Sequence, residues 1–217
     1  YFDVGQSSFT LASLQSFFRL ILSIPKKPIF LNFSDIKMQD GSWNQFYSSL
    51  SSLSEINNIK GLDWSGNPID SSCIMPFCQF FFAQNNVSHL SIDRIFNNSQ
   101  IDDLRNLVNS IGPNKIYSLS ICGNSNHNFG GSMSQFLDII NSLGNNLLIF
   151  HIDGHKVSNI DSPDVISFIR NHNSIVELSM DDTTFSDENQ LFNFYENIFS
   201  NQNIKILGRP NIDLERI

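Results

Sequence analysis

Cysteine is scarce and wrongly spaced for the usual cysteine chemistries. The three, Cys73, Cys78 and Cys122, are odd in number and fit neither a zinc site nor a secreted disulfide framework. They read as reduced thiols, with a cytoplasmic, intracellular setting as the expectation. Long apolar runs are missing too. No stretch reaches the ~18 apolar residues that span a bilayer, so no membrane insertion is expected. The most apolar segment, FFRLILSI (17–24), contains Arg19 and lacks a basic leader, so it is not a signal peptide. The chain starts with Tyr1 rather than Met, which suggests a piece of a longer protein.

Positive charge is also short. Thirteen Lys and Arg face 21 Asp and Glu, a formal net charge of −8, and no basic run offers a handle for a phosphate backbone. Nucleic acid is excluded as the expected partner; a protein with a basic surface suits the charge better. What the chain has in excess is Phe, 20 of them, together with much Asn and Ser. That abundance makes the Asn-x-Ser sequons at Asn32, Asn86 and Asn97 uninformative.

A regular interval organises the sequence. The template apolar-x-x-apolar-x-apolar fits at Pro28/Leu31/Phe33, Ile59/Leu62/Trp64, Val87/Leu90/Ile92, Ile116/Leu119/Ile121, Leu147/Phe150/Ile152 and Ile175/Leu178/Met180. A seventh copy starts at Ile204/Leu207 and ends on Arg209. First positions are spaced 31, 28, 29, 31, 28 and 29 residues apart. Phe2 and Val4 match the end of a preceding copy. Each short strand is followed by a loop and then a segment of helical periodicity, such as 42–53, 100–111, 132–143 and 188–199. Ser162-Pro163 marks one helix start and Pro76 another. A strand–loop–helix unit of this size cannot bury its apolar side alone, but stacked copies can.

These copies resemble leucine-rich repeats, and the period with a helix in each unit resembles the ribonuclease-inhibitor-like class. The resemblance implies an α/β solenoid, or horseshoe: one domain over 1–217 of about seven repeats, with a parallel concave sheet and convex helices. Within that class LDWSGNPI (62–69), the long copy at Leu119 and the ending NQNIKILGRPNID (201–213) resemble CARMIL-type proteins, regulators of actin capping protein that link to myosin I. That resemblance implies an interaction scaffold of the actin cytoskeleton. Alternatives are a sensor or autoinhibitory array of a larger switch protein, and a GTPase-activating array similar to RanGAP.

Residues between the buried strand positions should face the concave side. They include Asp63, His89, Asp93, His151, Asp153, Glu177 and Asp181, with no Lys or Arg, and form the expected protein-binding surface. Asp153 and Asp181, in one column, should lie about 5 Å apart. Without a nucleophile or ligand cluster beside them, no catalytic residue, metal site or cofactor is expected. His151 and Asp153 point the same way and suit a surface ion pair. Asn67, and Asn124 at the matching position, should bond backbone groups exposed as the chain leaves the strand. FCQFFFA (77–83) carries more aromatic surface than one buried stripe needs, and an exposed Trp43 would mark an interface.

Overall fold

The computed structural model describes residues 1–25, 29–50, 59–83, 86–200, 204–206, 208 and 210–212. Pro28, Leu207 and Arg209 of the repeat template, and residues 51–53 of the first predicted helix, lie outside the described residues.

Eight short strands form one parallel sheet: β1 (Phe2–Asp3), β3 (Ile29–Asn32), β5 (Ile59–Asp63), β6 (His89–Ser91), β7 (Ser118–Ser120), β8 (Ile149–His151), β10 (Glu177–Ser179) and β12 (Lys205–Ile206). The central apolar positions are in register across all of them, Phe2 with Leu31, then Leu62, Leu90, Leu119, Phe150, Leu178 and Ile206. Each connection returns through a helix: α1 (Leu11–Leu22), α2 (Trp43–Ser49), α3 (Ile74–Ala83), α4 (Ile101–Ile111), α5 (Met133–Asn141), α6 (Ser162–Asn171) and α7 (Glu188–Ser200). Every helix touches the next along the series. The chain is a leucine-rich-repeat solenoid.

The core lies between sheet and helices. Leu31, Leu62, Leu90, Leu119, Phe150 and Leu178 are buried, as are Phe33, Trp64, Ile92, Ile121, Ile152 and Met180 one position pair later. Each such side chain contributes about 1.5–3 kcal/mol on leaving water. Phenylalanine supplies a spine in the N-terminal half, where Phe18 stacks on Phe33 at 5.0 Å and Trp64 stacks on Phe46 at 5.8 Å. The Trp64 indole donates to the Tyr47 hydroxyl at 2.9 Å, and that hydroxyl donates to the Pro68 carbonyl at 3.1 Å. Phe77, Phe80 and Phe81 are buried, and Trp43 lies half-buried against Tyr47. Phe77, Phe80, Phe81 and Trp43 do not offer the aromatic surface the sequence suggested; the Phe82 side chain lies outside the described residues.

Two features were not foreseen. The residue two places after the last apolar position is left-handed in most units: Gln6, Asp35, Gly66, Arg94, Gly154 and Asp182 have φ between 51° and 73°. This conformation turns the chain while its N–H still reaches the next unit, as Gly66 N–H does to the Asp93 carbonyl at 2.8 Å and Gly154 N–H to the Asp181 carbonyl at 2.8 Å. Beyond the turn, second short parallel strands pair on the descending side. β2 (Ser8–Phe9) pairs with β4 (Lys37–Met38), while β9 (Lys156–Val157), β11 (Thr184–Phe185) and β13 (Asn211–Ile212) make a separate sheet.

Carboxylates join helix starts to the following unit. Asp40 accepts the N–H of Leu11, the first residue of α1, at 3.1 Å. Asp161, buried, accepts the N–H groups of Gly131 and of Met133, the first residue of α5, at 2.8 and 3.1 Å. Ser162 is the first residue of α6, as its place before Pro163 suggested; Asp161 precedes it, and its carboxylate serves the unit before.

Candidate functional site

The registers sort the concave residues into columns. The first runs Phe30, Gly61, His89, Ser118, Ile149, Glu177; the second runs Asn32, Asp63, Ser91, Ser120, His151, Ser179. Past the strand ends a third column holds Ser34, Ser65, Asp93, Cys122, Asp153 and Asp181. The expected face is present, with one correction. The last strand pairs one residue earlier than the template implied, so Lys205 stands opposite Glu177 and a cation joins the first column. Further along, the Met180 N–H reaches the Gly208 carbonyl at 3.1 Å, which restores the template spacing. A side chain at Gly208 would overlap Ser179 and Asp181.

The third column is stitched internally. Asp93 Oδ1 accepts the Cys122 N–H and the Ser120 hydroxyl, both at 2.7 Å. Asp153 Oδ1 does the same one unit pair later, accepting the Asp181 N–H at 2.7 Å and the Ser179 hydroxyl at 2.6 Å. What Asp153 meets in that unit is thus the Asp181 backbone N–H and the Ser179 hydroxyl, and the Asp181 side chain remains exposed. Asp63 accepts the N–H of Ser65 at 3.0 Å and stays half-buried.

The histidines are dispersed. His89 and His151 lie in different columns with β7 between their strands. His89 contacts the Ser88 hydroxyl at 2.9 Å through Nδ1. His151 Nε2 lies 3.5 Å from Glu177 Oε1, so its carboxylate neighbour is Glu177 and not Asp153. Among the described residues no group of three or more His, Cys, Asp or Glu could hold a metal ion. Burial, with Asp93 beside it, pushes the Cys122 thiol up to about 12, so the floor carries no thiolate nucleophile at neutral pH.

Asn67 turns the chain by bonding backward. It is fully buried; its Nδ2 donates to the Phe33 carbonyl at 2.7 Å and its Oδ1 accepts the Ile36 N–H at 3.0 Å. His155 and Thr183 occupy the same place two and three turns after Asn124's predecessor and make the equivalent bond. His155 Nε2–H donates to the Ile121 carbonyl at 2.8 Å, and the Thr183 hydroxyl to the Ile152 carbonyl at 2.9 Å. Both are buried. Asn124 differs: its Oδ1 accepts the N–H groups of Asn126 and His127, at 2.8 and 2.9 Å, within its own long loop. It stabilises a turn there but does not bond the preceding unit as Asn67 does. The shared signal was a side chain able to donate three residues past the last apolar position, and asparagine is only one such residue.

Among the described floor residues the large apolar side chain left exposed is Phe30, at 37%. Its ring lies over Gly61, where any side chain would overlap it, and meets the His89 ring at 5.6 Å edge-on. Around this pair, Asn32, Asp63, Ser91 and Ser120 help line a shallow depression of about 170 Å³.

The chain matches no protein-family model and no curated protein. Among solved structures it is similar to an internalin C2 from Listeria monocytogenes, with 18% identity, a TM-score of 0.43, and 95% of this chain and 78% of that chain covered. It is also similar to an internalin, inlF, from the same organism, with 12% identity, a TM-score of 0.38, and 84% and 61% covered.

Proposed function

We propose that this protein is an interaction scaffold that presents the concave sheet to another protein. The observation that carries the reading is Phe30, a large aromatic side chain left uncovered on the floor and held in one place by Gly61 and His89. Preformed aromatic anchors of this kind dominate protein–protein binding energies. Asp63, Glu177 and Asp181 extend the surface, and with a net charge of −8 they favour a partner with a basic face. His89 and His151 belong to the same surface, while Asp93 and Asp153 act beneath it by fixing the backbone that displays it.

The array of about seven repeats works as one binding domain and not as an enzyme. Supporting this, the Cys122 thiol is held protonated and the carboxylates of Asp93 and Asp153 are occupied by backbone donors. Three free thiols support a cytoplasmic setting. The narrower role, regulation of actin as a CARMIL-like member of the ribonuclease-inhibitor-like class, rests on the resemblance of LDWSGNPI, the long β7 unit and the proline-bearing end.

Photo-crosslinking amino acids placed at Phe30 and Asp181, and at Phe192 on the helix side, test the docking face in cells. The expected result is protein adducts from positions 30 and 181 and none from 192. Adducts from 192 alone, or none at all, overturn it.

A further inference from the structure

Beside the floor, on the edge where the chain ascends into each strand, three consecutive units expose an apolar residue at one position. Tyr117, Leu148 and Val176 are 46%, 39% and 46% exposed. They form one row, since the Leu148 N–H donates to the Tyr117 carbonyl and the Val176 N–H to the Leu148 carbonyl, both at 2.9 Å. Nothing in the packing requires these residues to be apolar, because the core is completed by their neighbours Ile116, Leu147 and Ile175.

Two lysines stand at one end of the row. Lys60 and Lys115 line an open depression of about 740 Å³ together with Tyr117 and Phe30. At the other end Lys205 donates its backbone N–H to the Val176 carbonyl at 2.8 Å and stands beside Glu177 in the first floor column. On the floor side Asp181 is exposed, while Glu177 is half-buried against His151.

The spacing selects the occupant's secondary structure. Adjacent strands are about 4.8 Å apart. Helix residues at i, i+3 and i+7 advance about 4.5 and 6 Å, close to that step, whereas same-face residues of an extended strand advance about 6.7 Å and fall out of step within three units. From this row and its charges we propose that the ascending lip seats an amphipathic helix of a partner protein. Its apolar stripe lies on Tyr117, Leu148 and Val176, its acidic flank meets Lys60 and Lys115, and its basic flank turns toward Asp181. The inference rests on the docking reading above and names the shape and charge pattern of what docks.

The test places the photo-crosslinking amino acid at 117, 148 and 176 in the full chain and reads the adducts by mass spectrometry, with 30, 181 and 192 as companions. The expected adducts fall on one segment of one protein, at residues three or four apart, with Asp or Glu along one flank. Leu148→Glu should lower the yield from 117 and 176 about tenfold without changing the melting temperature, since the residue is exposed. Adducts from 30 and 181 alone would overturn the helix on the lip while leaving the docking face standing. Alternate-residue spacing, adducts to lipid, or a row silent beside productive floor positions would also overturn it. Adducts from 192 alone, or from no position, would overturn both.

Discussion

Arg94 reaches across an entire intervening unit to Asp35, with Nη2 2.7 Å from Oδ2. Both are left-handed turn residues, and the one between them in the stack is Gly66, where a side chain would overlap the Asp35 carboxylate. Phe30, Gly61 and His89 repeat the arrangement on the floor of the same three units. In both places glycine is needed for close approach, and Gly66 makes the left-handed turn as well.

Gly66→Ala should therefore destabilise the protein by about 2 kcal/mol, from left-handed strain and from displacement of Asp35. In a double-mutant cycle measured by urea unfolding, Asp35→Ala should recover about 1 kcal/mol of that loss. Strict additivity would show that the overlap is relieved elsewhere.

Asn67→Ala should cost about 3 kcal/mol, because it strands the buried Phe33 carbonyl and Ile36 N–H together. Asn124→Ala, in a half-exposed loop, should cost about 1 kcal/mol. Equal losses in urea unfolding would mean that the two asparagines do the same work.

Asp153→Ala and Asp181→Ala separate a stitching carboxylate from a displayed one. The first should lose about 2 kcal/mol and the second should stay within about 0.5 kcal/mol of the parent. Thermal or urea unfolding decides between them, and a reversed order would contradict the observed bonding.

Burial holds the His155 pKa below its ordinary 6.5, against the raising effects of the Ile121 carbonyl and the Asp93 and Asp153 charges. The folded state thus binds fewer protons than the unfolded chain between the two values. Its contribution is intact above about pH 6.5 and declines as pH falls below it. Burial lowers His172 too, with the same sign. The urea midpoint should drop between about pH 7 and 5, and His155→Asn, which keeps a donor for Ile121, should flatten that drop.

With its pKa near 12, Cys122 is about one part in ten thousand thiolate at pH 8. Alkylation by iodoacetamide should be negligible in the native protein and rapid in urea. Fast native labelling, located at position 122 by mass spectrometry, would contradict the buried neutral thiol.

The central ladder from Leu31 to Leu178 was legible because one buried face repeats at a nearly constant interval. The turns were less so. Gln6, Asp35, Arg94 and Asp182 share a backbone conformation but no side-chain chemistry. Reading the next position for asparagine found Asn67, missed the role of His155 and Thr183, and gave Asn124 the same role, although its longer loop draws its side chain away. Two-residue strands such as Lys156–Val157 are too short to show an alternation. The charge of the floor was legible as composition, but which carboxylates are displayed and which are consumed depends on neighbours about 28 residues away.

Among the described residues, the descending side has paired second strands at either end of the array and none in the β5, β6 and β7 units between. Those middle units are joined there by single amide side chains, Gln100 Nε2 donating to the Ile69 carbonyl at 2.9 Å and Asn98 Nδ2 to the Gly130 carbonyl at 2.8 Å. Bending the centre of the arc would therefore strain individual side-chain contacts on that margin, whereas bending either flank would open a ladder of paired strands.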